Sequence, residues 1–372
     1  MKILIIIFLF SISINSYSSE SCINNLLKDK NKYQKIDYAG FTVNIFNSFK
    51  ILYVKKPWRN KQKGIYYILT RETENICDNV THVKLPVEKV ISFSTTHIPA
   101  LSYMNEEKKI VGVIGGKYIF NQKVQGLIAK KLITEFGSPP NIEKIISLKP
   151  DLILGYVMAD PKIEGIVPIL DLKMPLVLVS DHLTSGPLAR AEWMIFISYF
   201  FEKEVEITKL YKVIKRNYLE LSKKIKKMQK KKVLIGSNFN GVWSAPGGKS
   251  DLVKLVTDAG GNYIWKDNKS ISTIYKSFET VLYTSRDVDY WLPQNLWKKF
   301  EDISKEDDRY KYLKAFKSKM IYNNNAKLNK NGGSDYWELG LMRPDLLLKD
   351  LVRIFHPEVL KDYKLEWFQK LK

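Results

Sequence analysis

From about residue 37 to 73, apolar and polar residues alternate with period two. Phe41, Val43 and Ile45 share one face, followed by Phe49, Ile51 and Tyr53 and then by Tyr67 and Leu69. Such alternation marks half-buried strands, and Asn47-Ser48 and Lys63-Gly64 supply turns between them. Residues 19–85 are therefore expected to form an N-terminal β-rich extension. After Pro86 the rhythm changes to short apolar runs at 90–93, 110–114, 152–154 and 175–179, with helical segments between them, most clearly Ile142-Glu143-Lys144-Ile145-Ile146. Strand and helix alternating at this spacing predict a parallel α/β lobe over 86–185. From Pro187, Ala189, Trp193, Phe196, Ile197 and Phe200 fall at helical spacing, and a Lys/Glu-rich helix runs on to about Lys230. Residues 186–230 thus read as a helical connector. Alternation resumes over 231–372, with strands at 232–236, 289–292 and 320–322 and helices at 251–259, 278–283 and 344–355. The expected fold class is α/β: two α/β lobes with parallel-rich sheets joined by a long helix, behind a β-rich extension. Lobes joined in this way enclose a cleft, the favoured place for a ligand.

A faint repeat relates the two lobes. Asn141-Ile142-Glu143 with Ile145 and Ile146 matches Ser277-Phe278-Glu279 with Val281 and Leu282, and a strand follows each, in Pro150-Asp151-Leu152-Ile153 and Val288-Asp289-Tyr290-Trp291. Glu143 and Glu279 each fall in the first turn of a helix, opposite its buried face. The helix dipole by itself favours a glutamate there by about 0.3–1 kcal/mol, so chemistry alone leaves a structural and a functional role both open.

The first residues bear on compartment. Met1-Lys2 precedes an apolar run from Ile3 to Phe10, a softer Ser/Ile stretch, and Ser16 and Ser18 at the spacing a signal peptidase reads. Residues 1–18 are expected to be a secretory signal peptide, too short to span a bilayer, and no other stretch is apolar for long enough to do so. The expected location is periplasmic or otherwise extracytoplasmic.

Composition narrows the function classes. The chain has 372 residues, 45% of them hydrophobic and 27% charged, which argues against disorder and against a multi-span membrane protein. Two cysteines and four histidines exclude a Cys-only zinc site, a single-chain iron–sulfur cluster and a His-rich metal tract. The formal charge of +21 fits nucleic acid, an anionic membrane or anionic small ligands. Export makes nucleic acid an unsuitable partner and leaves steering of an anionic ligand as a use for part of the charge. The run at 223–232 reads as a solvated helical surface.

Cys22 follows the expected cleavage point and has two readings. It carries lipid, although Ser19-Glu20-Ser21 lacks the usual aliphatic residue, or it pairs with Cys77 in an oxidising compartment. The second reading closes a loop of over fifty residues, a contribution of about 3–4 kcal/mol from chain entropy.

Several catalytic signatures are missing. Gly247-Gly248-Lys249-Ser250 resembles the end of a phosphate-binding loop, but Trp243 stands where the first glycine is required. Neither a G-x-S-x-G elbow nor an H-E-x-x-H signature occurs, and no enzymatic activity and no cofactor is expected. His97, after Ser94-Thr95-Thr96, and His182, after Ser180-Asp181, both follow predicted strands, where open α/β sheets bind ligands. They are candidates for ligand contact or for direct binding of a metal ion, and equally for helix caps. Tyr118 beside Gly115-Gly116, Tyr156 after Leu154-Gly155, Trp243 beside Gly241, and Trp337 in Gly333-Ser334-Asp335-Tyr336-Trp337-Glu338 place aromatics in loops that nothing obliges to bury them. With Thr96 and His97 they form the predicted ligand-binding set. Asp335 and Glu338 also offer a paired-carboxylate reading as a secreted carbohydrate hydrolase, with Trp337 as a sugar platform. Neighbours on one loop seldom face each other across a substrate.

The stretch 89–156, above all Asn141-Ile142-Glu143-Lys144-Ile145-Ile146-Ser147-Leu148-Lys149-Pro150-Asp151-Leu152-Ile153, resembles the substrate-binding proteins of ABC importers for iron–siderophore complexes, haem and cobalamin. The likeness continues through Val233-Leu234-Ile235-Gly236, Asp258-Ala259-Gly260-Gly261 and 278–291, covering roughly 85–360. It implies a monomeric, non-catalytic capture protein that takes a metal chelate, a ferric siderophore first among them, and delivers it to an ABC permease dimer. In that family an acidic residue on each lobe docks onto permease arginines, and Glu143 and Glu279 match those positions.

Overall fold

In the computed structural model, residues 20–29, 32–72, 75–162 and 165–372 are described; the expected signal peptide lies outside them. The alternating extension forms strands β1 (Lys32–Gln34), β2 (Phe41–Ile45), β3 (Phe49–Val54), β4 (Ile65–Thr70) and β5 (Thr81–Lys84). They lie side by side in that order, antiparallel from β1 to β4 and parallel between β4 and β5. Phe41, Val43, Leu52, Val54 and Leu69 enter the main core on one face of this sheet. On the other, Ile51 and Ile68 cover a small cluster with Ile23 and Cys77. Cys77 is joined to Cys22 in a disulfide with a Cα separation of 6.0 Å. A sulfur so engaged has no valence left for a thioether lipid.

The first lobe is a five-stranded sheet of β6 (Val90–Ser92), β7 (Ile110–Ile114), β8 (Thr134–Phe136), β9 (Leu152–Gly155) and β10 (Leu176–Leu178). All are parallel in the order β10-β9-β6-β7-β8. Their carboxyl ends present the loops that begin at Phe93, Gly115, Tyr156 and Val179. In the second lobe, β11 (Lys231–Ile235) lies parallel between β14 (Gly261–Tyr263) and β16 (Tyr290–Leu292). Beside them, β12 (Ser237–Phe239), β13 (Val242–Ala245) and β15 (Ile274–Ser277) form an antiparallel sheet. The repeat read from sequence has a structural counterpart: Asp151 accepts the Glu88 and Lys89 amides at 2.9 and 2.8 Å, and Asp289 accepts the Lys232 amide at 2.9 Å. Each aspartate fastens the start of one strand to its parallel neighbour.

The connector is two helices rather than one. Pro187–Ser198 and Glu204–Ile225 are separated by a 3₁₀ turn at Tyr199–Phe201 and by Glu202, which is left-handed at φ 55°. The first helix is mostly apolar and buried except at Arg190, as expected of a helix enclosed by its neighbours. Its charged residues therefore need partners. Glu192 receives the backbone N–H groups of Asp37, Tyr38 and Ala39 at 2.7–2.8 Å, which moors the extension to the connector. Arg190 faces the cleft. Among the described residues no helix is long and apolar enough to cross a membrane.

Candidate functional site: the interlobe cleft

The strand-end loops of the first lobe, the beginning of helix Pro187–Ser198 and the beginning of helix Asp251–Asp258 surround a cleft of about 560 Å³. Ser94, Thr96, Tyr156, Met158 and His182 line it from the first lobe. Ser250, Ser272, Thr273, Gln294, Tyr336 and Trp337 line it from the second. Hydroxyl, amide and aromatic groups share the lining with aliphatic ones such as Leu252, Leu255, Ile271 and Leu347, a surface that holds a ligand by stacking, apolar contact and hydrogen bonds.

The ionisable groups form one cluster. Arg190 donates from Nε to Asp181 Oδ2 at 3.0 Å, and its Nη1 lies 3.9 Å from Asp251 Oδ2. Asp251 also accepts the Gly186 amide at 2.6 Å. One guanidinium on the connector thus binds an aspartate of each lobe. Burial alone would raise the Asp181 pKa, but Arg190 and the adjacent histidines outweigh it and hold the carboxyl well below its usual range. For Asp251 burial prevails over the Gly186 amide and Arg190, and its pKa is raised. The His182 Nε2 lies 3.1 Å from the Val157 carbonyl, its Nδ1 lies 3.9 Å from Asp181, and its ring meets Tyr156 edge-on.

The predicted set divides. Thr96, Tyr156 and Trp337 line the cleft. His97 does not: it is buried behind the loop, its Nδ1 is 3.1 Å from Ser92 Oγ, its Nε2 has no partner, and burial pushes its pKa down to about 4. Tyr118 is half exposed outside the cleft, with Lys117 over its ring. Trp243 is not on a loop. It sits fully buried on β13, donates Nε1 to the Ile235 carbonyl at 3.1 Å, and stacks near Phe278 and Trp291 in the core of the second lobe. Its neighbours Asn240 and Gly241, at φ 51° and 82°, form the hairpin turn that puts it there. Among the described residues no three His, Cys, Asp or Glu side chains are arranged to hold a metal ion.

The remaining candidates lie elsewhere. Glu143 and Glu279 are exposed in the first turns of helices Ile142–Leu148 and Phe278–Thr284, which are capped by Asn141 and Ser277. Arg309 reaches Glu279 at 2.9 Å; the glutamate's own backbone amide and then this arginine lower its pKa. Asp335 and Glu338 both border a second cavity of about 490 Å³ outside the interlobe cleft, and each is engaged by protein groups. Asp335 accepts the Trp367 indole N–H at 3.0 Å. Glu338 reaches across to the first lobe and accepts the Phe120 and Asn121 amides at 2.5 and 3.3 Å. Burial, opposed by those two amides, pushes Glu338 up to about 8. Asn329 donates to the Lys117 and Ile119 carbonyls at 3.0 and 2.9 Å. The loop therefore clasps the first lobe while holding Tyr336 and Trp337 in the cleft.

Sequence reading passed over Arg190, Asp181, Asp251 and Tyr336. A signal was present for the first: an arginine within the apolar run Pro187-Leu188-Ala189-Arg190-Ala191 needs a buried counter-charge. The charge of +21 does not reach the cleft, whose lining contains Arg190 as its single Lys or Arg among the described residues.

A sequence model of the family described as periplasmic binding protein matches residues 90–328. An uncharacterised lipoprotein of Methanocaldococcus jannaschii is 27% identical over 311 residues, covering 80% of this chain and 72% of that one. Among solved structures, a periplasmic solute binding protein from Veillonella parvula is similar with a TM-score of 0.60 at 18% identity, over 85% of this chain and 89% of that chain. The periplasmic vitamin B12 binding protein of Vibrio cholerae is similar with a TM-score of 0.53 at 15% identity, over 75% and 99%. At these identities the solved structures establish a shared fold.

Proposed function

Because the chain belongs to the periplasmic binding protein family, whose members work outside the cytoplasm, we propose that it captures a metal chelate and delivers it to an ABC importer. A ferric siderophore is the leading class of ligand, with haem and corrinoids next. The observation that carries this reading is the cleft itself. A space of about 560 Å³ between the lobes, walled by Tyr156, Tyr336 and Trp337 and ringed with hydroxyl and amide groups, suits a bulky organic complex. The likeness to a vitamin B12 binding protein, itself a carrier of a metal chelate, supports it. Proteins of this family bind their ligand without transforming it, so release of the ligand unchanged is the expected outcome.

Glu143 and Glu279 are the proposed docking points for a permease dimer, one on each lobe and both open to solvent. Arg309 already satisfies Glu279, so docking there would exchange one arginine for another. Titration of the purified mature chain with ferric siderophores, haem and corrinoids, followed by tryptophan fluorescence, tests capture; no response to any of them would defeat it. Joint replacement of Glu143 and Glu279 by alanine is expected to leave the fluorescence titration unchanged and to abolish stimulation of the cognate importer's ATPase. Retained stimulation would remove these two residues from the docking role.

A further inference from the structure

The balance of charge on the cleft floor bears on the charge of the chelate it can hold. Of the described residues that line the cleft, the permanently charged base is Arg190, and it is already committed to Asp181 at 3.0 Å and placed 3.9 Å from Asp251. Two carboxylates therefore face one guanidinium. His182 turns both ring nitrogens to protein groups, Nε2 to the Val157 carbonyl at 3.1 Å and Nδ1 to Asp181 at 3.9 Å. The next base along helix Asp251–Asp258, Lys254, is turned away onto Asp258 at 2.5 Å. Everything else on the walls is hydroxyl, amide, thioether, aliphatic or aromatic.

A polyanionic complex entering this space would shed its hydration and meet no free cation in return, above a floor whose formal charge is negative. An uncharged or cationic complex loses less hydration and finds hydroxyl and amide partners, aromatic faces and a carboxylate surplus. We propose that the cleft selects uncharged or cationic metal chelates and discriminates against polyanionic ones. The proposal rests on the chelate-capture reading and specifies its ligand class.

The test is a set of fluorescence titrations of the full mature chain with three probes: ferrioxamine B, a cationic ferric trihydroxamate; ferrichrome, an uncharged one; and ferric enterobactin, a triply charged tris-catecholate. The expected result is that one or both hydroxamates bind at least about tenfold more tightly than the catecholate at moderate salt. Asp251→Asn, which keeps an acceptor for the Gly186 amide, is expected to shrink that ratio by about threefold or more, because the floor then balances Arg190 with a single carboxylate. Catecholate binding as tight as or tighter than hydroxamate binding overturns the charge selection and leaves chelate capture standing. A ratio indifferent to Asp251→Asn overturns the assignment of the selection to the floor. Failure of all three probes, with haem and corrinoids also failing, brings down the capture reading and this inference with it.

Discussion

Arg190→Met is the sharpest perturbation of the cleft floor. The methionine keeps the side chain's length within an apolar helix but leaves Asp181 and Asp251 facing each other without their shared cation. The Asp181 side chain is 5% exposed and that of Arg190 18%, so solvent screens little of the loss. Removing one partner of a buried pair costs about 3–5 kcal/mol, and that is the expected loss of stability at pH 7. The pH dependence should also change sign. In the parent protein the folded pKa of Asp181 is depressed. Its contribution is therefore complete above the unfolded value of about 4 and is lost as the pH falls through the folded value. Without Arg190, burial raises the folded pKa above the unfolded one. The Asp181 contribution in the variant is then most favourable below about pH 4 and declines as the pH rises, by about 1.4 kcal/mol for each unit of upward shift. Urea denaturation at pH 7, 6 and 5 reads both effects, and Arg190→Met combined with Asp181→Asn should recover a large part of the loss. A destabilisation below about 1 kcal/mol with the parent's pH slope would refute the claim that this cluster is a buried, charge-balanced floor.

Other predictions concern neighbouring features. His97 is held neutral by burial, with a folded pKa of about 4; its contribution is present above about 6.5 and is lost as the pH falls through 4, about 3 kcal/mol in all. A urea series from pH 7 to 4 should show that loss in the parent and a much flatter profile in His97→Gln. Trp337, 47% exposed at the cleft, should account for much of any ligand-induced change in fluorescence, and Trp337→Ala should weaken chelate binding about tenfold, as for a stacked aromatic contact worth about 1–1.5 kcal/mol. Reduction of the Cys22–Cys77 bridge, which spans 55 positions, should cost about 4 kcal/mol in the unfolding of the extension on the chain-entropy account. Matching denaturation curves with and without reductant would contradict that account.

The extension was legible by its alternation, and the central strands of the first lobe because they are parallel and buried. Strand β7 appears in the sequence as an uninterrupted apolar run over the same residues it occupies in the structure, as a strand covered on both faces should. β8 escaped because it is three residues long with Glu135 at its centre, too short to display a period. The connector was legible as helix, but its break was not. Tyr199, Phe200 and Phe201 continue the apolar pattern through the 3₁₀ turn, and the left-handed Glu202 has no composition signal. Trp243 misled for a related reason. Its glycine-flanked setting reads as loop, whereas the glycine belongs to the turn and the tryptophan to the strand, in a cluster that residues 291 and 310 complete from far along the chain. The cleft's aromatic walls were partly visible as glycine-adjacent aromatics. Its charged floor was not, since Asp181, Arg190 and Asp251 meet only when both lobes fold onto the connector.

Native mass spectrometry of the mature chain mixed with ferrioxamine B, ferrichrome, haem and cobalamin tests the central claim most directly. Non-catalytic capture in the interlobe cleft predicts one chelate per chain, released with its mass unchanged and lost when Tyr156 and Trp337 are both replaced by alanine. No adduct with any of the four, or a chelate returned chemically altered, would contradict it.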